Sequence, residues 1–344
     1  MVTHWMDDPN DNEADHHQSD RYPVQDDIRI GESGQGYVLR MTRSNFLQGL
    51  SEIRKRCGKH FSTTLTSSDA PYLSKWFGAD VTKLKMALED GDEVVDGSGR
   101  FLSRYAGHQI CRQNFLNRMA PRICPECLAE GEICRLSWDF SFVTACPRHE
   151  KLLIDQCPGC LKQLNWQRPA VDICNCGTYL SDPNSYTQER ATELDLEVSR
   201  WMIAWIDGVP NQSGAMTNEL PLLKLISPLS LHGGMNILWA LSLADESMAL
   251  KNASVIDGAV LERCRKTLLK AGEFSKRLTI NDPETFRSSK RQTLLPILAE
   301  CMHESYTYKD RSLAQSLIST VLRAPAKSRR TVSGIPVQPS LFSD

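Results

Sequence analysis

Eight of the chain's twelve cysteines fall between Cys124 and Cys176, a window of 53 of its 344 residues. Within it the order is Cys124-Pro-Glu-Cys127, Cys146-Pro-Arg-His149, Cys157-Pro-Gly-Cys160 and Cys174-Asn-Cys176-Gly177. A Cys-x-x-Cys turn brings two thiolates to one ion at about 2.3 Å, and a second such turn completes a tetrahedron. The spacing predicts one zinc held by Cys124, Cys127, Cys146 and His149 and another held by Cys157, Cys160, Cys174 and Cys176, with Gly177 freeing the backbone to close the last turn. An interleaved pairing stays open, because sequence does not fix which turn meets which. Cys134 is left over and is read as packing.

With four protein ligands each, the two sites have no position for water or substrate and are expected to be structural. The zinc-deaminase signature, His-x-Glu with Pro-Cys-x-x-Cys, does not occur, which argues against that enzyme class. Leu136, Trp138, Phe140 and Phe142 alternate with Arg135, Ser137, Asp139 and Ser141, a period-two pattern that predicts a strand, and Leu152 to Ile154 offers another. About sixty residues of short strands cannot supply a large core, so metal ligation should furnish much of the folding free energy of a tandem zinc-ribbon module at residues 121–181.

The flanks read as helix, so the fold class is mainly α with a small β component. Ser44 is a candidate N-cap for a helix carrying Phe46, Leu47, Leu50 and Ile53 within an N-terminal helical domain, residues 21–120. The stretch Gly31 to Gly36 (GESGQG) lacks the Gly-Lys-Ser/Thr ending of a phosphate loop and is read as a turn into a helix with Tyr37, Leu39 and Met41. Asp69 can cap a helix with Tyr72, Leu73, Trp76 and Phe77 on one face. Gly78 ends it, and Val81, Leu84 and Leu88 form a second helix. Two short helices about a glycine suggest a helix-turn-helix, with Lys75, Lys83 and Lys85 as candidate nucleic-acid contacts; an ordinary αα-hairpin gives the same pattern. Residues 182–324 form a second helical domain. Leu194, Val198, Trp201 and Trp205 make one stripe, Met235, Leu238 and Leu241 another, and Val260, Cys264 and Leu268 a third, with Pro210, Pro221, Pro283 and Pro296 as breaks or first-turn residues.

Charge is unevenly placed. Residues 1–20 carry six acidic side chains and no Lys or Arg, and read as a disordered acidic arm in which His4, His16 and His17 are solvated. The rest of the chain has 40 basic against 36 acidic residues, an excess of +4 with no evident basic stripe. Weak duplex binding by the chain alone is expected, since phosphate neutralisation drives that affinity. The longest apolar run, Asn236 to Ala244, is too short for a membrane span. The N-terminus lacks the apolar core of a signal peptide, so a reducing, cytoplasmic setting is expected and disulfides are not.

The strings PRICPECLAEG, RLSWDFSFVTACPRHEKLLIDQCPGC and CNCG, within residues 121–177, together with Glu32-Ser33 followed by Tyr37, Leu39 and Arg40, resemble the TniQ/TnsD family of bacterial transposon proteins. The resemblance implies a non-enzymatic target selector that recruits an AAA+ regulator, and through it the transposase, to a DNA site. Some members bind DNA directly, and others dock as dimers on an RNA-guided Cascade complex. The +4 body charge favours the adaptor role. The alternative is a stand-alone, sequence-specific zinc-containing DNA-binding protein. The tail from Pro325 reads as flexible and basic. Its Gln338-Pro-Ser-Leu341-Phe342 resembles the pentapeptide by which bacterial proteins dock on the replication sliding clamp.

Overall fold

A computed structural model of the chain describes residues 21–60, 63–90, 94–95, 101–131, 133–182, 188–208, 219–244, 261–279 and 288–323. Among these residues helix dominates, with eleven α-helices, five short strands and three 3-10 turns. The mainly α class with small β elements holds.

Helix α1 (Gly34–Ser44) starts where the Ser33 hydroxyl accepts the Gly36 N–H at 3.1 Å. The glycine-rich stretch is therefore not a turn throughout: only Gly31, at φ +72°, turns, and Gly34 and Gly36 lie inside the helix. They are there for packing. A Cβ on Gly34 would sit 2.5 Å from Leu88 Cδ2, and one on Gly36 would sit 2.7 Å from the Cys134 Cβ.

Ser44 ends α1 rather than capping a new helix. The chain reverses through Phe46 (φ +57°) and Gly49 (φ +75°) before α2 (Leu50–Arg56). Phe46, 93% exposed, belongs to that turn, so the apolar spacing that grouped it with the buried Leu50 and Ile53 ran across a reversal of the chain.

Asp69 caps a 3-10 turn, Ser67–Asp69, by accepting the Thr66 N–H at 2.7 Å, and makes no side-chain cap on α3 (Ala70–Phe77). Leu73, Trp76 and Phe77 are buried on α3, whereas Tyr72 is 58% exposed and does not share their face. Gly78 ends the helix at φ +83°, and the Asp80 carboxylate accepts two N–H groups to start α4 (Val81–Ala87). The helix pair about Gly78 is present.

The sequence pattern missed an antiparallel sheet in this region, in the order β1 (Val94–Val95), β2 (Phe101–Tyr105), β3 (His108–Ile110). Its β2–β3 loop is Ala106-Gly107, both at positive φ, the two-residue connection that suits the strand twist.

In the middle come α5 (Pro125–Gly131) and the hairpin of β4 (Ala145–Cys146) and β5 (Lys151–Leu152). The strand expected over 136–142 is absent. Leu136–Asp139 is a 3-10 turn, and Ser137, Asp139 and Ser141 are buried along with Trp138, Phe140 and Phe142, while Arg135 and Leu136 are both half-buried. The reason is hydrogen bonding: Asp139 accepts the Tyr105 hydroxyl at 2.5 Å and the Ser141 hydroxyl donates to Asn114 O at 2.7 Å. A segment covered on both sides has no solvent face to produce a strand's alternation.

The C-terminal half is α6 (Glu193–Ile206), α7 (Pro221–Ile226), α8 (Leu231–Ser242), α9 (Leu261–Thr279), α10 (Ser288–His303) and α11 (Tyr308–Arg323). Val198 and Trp201 of the expected α6 stripe are buried, and Trp205 is 41% exposed. Pro221 starts α7 and Pro296 lies inside α10. α8 is buried on nearly every side, which is why its sequence is apolar almost throughout. One apolar cluster runs from Ile28 to Val321. The Arg112 guanidinium, 3.8 Å over the Trp239 ring, 3.3 Å from Glu300 and 3.0 Å from Glu304, joins the N-terminal half to α8, to α10 and to the residue after it. Among the described residues no helix is long and apolar enough to cross a membrane. The acidic arm, Pro210, Val260, Pro283 and the tail with Gln338, Leu341 and Phe342 lie outside the described residues.

Candidate metal centres

Ile123 and Ile154 pair through reciprocal backbone hydrogen bonds of 3.0 and 2.8 Å, which lays Cys124 beside the β4–β5 hairpin. Cys124 immediately precedes α5, whose first turn carries Cys127. Cys146 ends β4 and His149 lies in the hairpin turn, which Glu150 closes at φ +54°. The His149 Nδ1 is 3.3, 3.4 and 3.5 Å from the sulfurs of Cys124, Cys127 and Cys146. Cys127 and Cys146 are 3.5 Å apart, sulfur to sulfur. A tetrahedron of 2.3 Å metal–sulfur and 2.0–2.1 Å metal–nitrogen bonds has edges of about 3.8 and about 3.6 Å. The four donors therefore sit close to the corners that one ion requires.

The charge on this cluster points the same way. Hydrogen bonds from Cys124 and Cys127 hold the Cys146 thiol down to about 2, while the bonds of Cys124 to Cys127 and Cys146 push Cys124 far above its ordinary value. A cation held among the three sulfurs would let all of them be thiolates at once. His149 presents its other nitrogen, Nε2, to Glu130 Oε1 at 3.2 Å, and Arg148 holds Glu130 at 2.9 Å. A carboxylate on the far nitrogen fixes the ring and raises its basicity as a ligand. Glu126, one turn earlier on α5, holds Lys151 at 2.5 Å. Sequence reading did not reach Glu126 or Glu130, although their i,i+4 spacing on the helix that begins at the first cysteine pair was available.

The second centre is built from two tight turns. Cys157 O accepts the Leu161 N–H at 2.8 Å while Cys157 N–H donates to Lys162 O at 2.9 Å; Cys174 O accepts the Gly177 N–H and its N–H donates to Thr178 O, both at 2.9 Å. Gly177 has φ +88°, the left-handed conformation expected of it, and Leu161 takes the equivalent place after Cys160 at φ +58°. Sulfur separations are 3.6 Å for Cys157 and Cys176 and 3.9 Å for Cys160 and Cys174. Cys157 and Cys174 are buried, whereas Cys176 is exposed and is held down to about 6 by hydrogen bonds with the Thr178 side chain and backbone.

In each centre all four donor atoms lie within 4.8 Å of one another, and the sets are Cys124, Cys127, Cys146, His149 and Cys157, Cys160, Cys174, Cys176. The turns are thus not interleaved, and the arrangement is compatible with two structural metal ions. Cys134 stands apart, buried beneath Gly36 with its sulfur 3.3 Å from Arg168 Nη2.

The candidate nucleic-acid lysines are not gathered into one face. Lys83 is bound to Asp27, and Lys85, two residues along α4, projects about 200° away around the helix axis. Lys75 is exposed on α3. The residues of the Glu32-Ser33 opening act within the fold: Glu32 binds Arg40, Ser33 caps α1, and the Tyr37 hydroxyl donates to Asp26 O at 2.9 Å.

Residues 23–153 match the family model TniQ. No curated protein matches the chain.

Proposed function

We propose that the chain, whose residues 23–153 match the TniQ family model, has a transposition-associated, DNA-targeting role and is a non-enzymatic adaptor for target selection. It links a DNA-targeting complex, of which an RNA-guided Cascade is one form, to an AAA+ transposition regulator and the transposase. The family match carries this reading. It encloses the first metal centre and leaves the second, with helices α6 to α11, as a body for partner contact. The ions are zinc: a three-thiolate, one-imidazole set and a four-thiolate set are soft, tetrahedral donors of the kind that select it. With every corner taken by protein, each zinc staples segments together and holds no substrate. The chain acts in the bacterial cytoplasm, as a homodimer, and its Gln338, Leu341 and Phe342 dock on the sliding clamp.

The test is reconstitution with the AAA+ ATPase and transposase of its own element. Co-elution with the ATPase, and insertion at the chosen site only when the chain is present, are the expected results. A second reading, a stand-alone sequence-specific DNA-binding protein, draws on the α3–Gly78–α4 pair. Tight binding to one duplex sequence by the chain alone would replace the first reading with the second.

A further inference from the structure

Helix α9 carries Arg263, Arg265, Lys266, Lys270, Lys276 and Arg277 against Glu262 and Glu273, a net charge of +4 in 19 residues. That equals the excess of the whole chain beyond residue 20, so the small overall charge concealed a local concentration. The inner side of α9 is occupied: Leu261, Cys264, Leu268, Ala271, Phe274 and Ser275 are buried. Arg265 turns inward, to Asp195 at 3.4 Å and Glu189 at 3.3 Å.

The outward side faces solvent. Arg263, Lys266 and Lys270 are exposed and Arg277 is partly so. Their spacing of three, four and seven residues places the four cations within an arc of about 60° and along about 21 Å of axis. The Arg277 guanidinium rests 5.3 Å over the Phe274 ring, which fixes its direction. Glu273 shares the stripe, and Glu262 beside it holds Lys266 at 2.7 Å, both ends of that pair being mostly exposed.

Such a row of cations suits a polyanion, and the surroundings narrow the class. A membrane would need a free apolar side on the same helix, and the apolar side is buried. A protein partner would need an aromatic or aliphatic anchor inside the patch; the nearest exposed apolar residue, Leu269, lies off the stripe's edge. We propose that the outward face of α9, through Arg263, Lys266, Lys270 and Arg277, is a contact surface for the phosphate backbone of nucleic acid, held without regard to sequence. The surface lies outside the segment that matches the family model and goes beyond the adaptor reading, which needs no such contact.

The experiment measures anisotropy of the full, metal-loaded chain on a labelled random-sequence duplex and on single-stranded RNA, across about 50 to 200 mM salt. The compared variant combines Arg263→Gln, Lys266→Gln, Lys270→Gln and Arg277→Gln. Wild type should bind with a salt slope that the variant lowers by about 3 to 4 on duplex, or about 3 on RNA, given 0.9 and 0.7 per phosphate contact. Affinity at the lowest salt should fall at least about tenfold. Arg263→Lys with Arg277→Lys should keep the wild-type slope, and Lys270→Gln alone should lower it by about 0.9 on duplex, so a folding defect in the fourfold variant cannot imitate the result. Absence of wild-type binding to either nucleic acid, or an unchanged slope in the fourfold variant, overturns the proposal. Binding to polyglutamate but to neither nucleic acid overturns it in favour of an acidic protein partner. Neither failure touches the adaptor reading, which fails instead on strong preference for one duplex over the random one.

Discussion

Replacing Glu32 with Gln keeps the side chain's shape and removes one charge. The Glu32 carboxylate is fully covered; it accepts Arg40 Nε at 2.8 Å and Nη2 at 2.9 Å, and the Arg29 N–H at 3.0 Å. Arg40 is 10% exposed at its side chain, and its other acidic partner, Asp26, is half exposed at 2.6 Å. Burial works against the Arg40 charge, and the bonds to Glu32 and then Asp26 outweigh it, holding the guanidinium's pKa above its usual value. In Glu32→Gln a single carbonyl oxygen faces three donors and an NH₂ group is turned toward a cation. Breaking a buried pair by removing one partner costs about 3–5 kcal/mol, and because Asp26 remains we expect about 3 kcal/mol. At about 2.1 cal/mol/K per residue, the thermal midpoint falls by about 4 °C if all 344 residues melt together, or about 11 °C if residues 23–153, the segment matching the TniQ model, melt alone. Glu32→Leu combined with Arg40→Met removes both charges and should recover most of that loss. Differential scanning calorimetry, with metal content measured on the same samples, checks both. A midpoint shift below about 1 °C in Glu32→Gln, or a double variant less stable than either single one, would refute the reasoning.

The remaining predictions concern the metal centres and pH. Cys127→Ser and Cys176→Ser should each lower the metal content from two ions to one by mass spectrometry, with the larger loss of helical signal in Cys127→Ser because Cys127 is buried and Cys176 is exposed; a fully folded wild type holding one ion or none would sink the assignment. Cys134→Ala should leave two ions bound while lowering stability, since its sulfur packs against Arg168. Burial pushes the Asp139 carboxyl up to about 7. Its contribution is therefore complete below the unfolded value near 4 and is lost as pH rises through about 7. Asp139→Asn should flatten that part of the stability profile and be more stable than wild type at about pH 8 in urea melts; a wild-type stability that rises between about pH 4 and 7 to the same degree in both proteins would count against this.

Covalent spacing alone made the ligand turns of the candidate metal centres legible. Cys-x-x-Cys and Cys-x-x-His turns are local and their geometry follows from the few bonds between the ligands, but which turn meets which was left open by the sequence and was decided by the fold, which gathers them in two sets of four. The helices at 70–77, 81–87 and 193–206 were also legible, because apolar periodicity and a glycine stop act within one or two turns, although the cap assigned to Asp69 belongs to the turn before α3. The strand expected over 136–142 failed for the opposite reason: its polar residues are buried by partners more than twenty residues away, Tyr105 and Asn114, and such partners leave no trace in the segment's own pattern. The glycines at 34 and 36 looked like turn residues until Leu88 and Cys134 were seen against them. Charge behaved in the same way. A sum over the chain is blind to direction, and only the packing of α9 decided which of its cations point inward to Asp195 and which line up toward solvent.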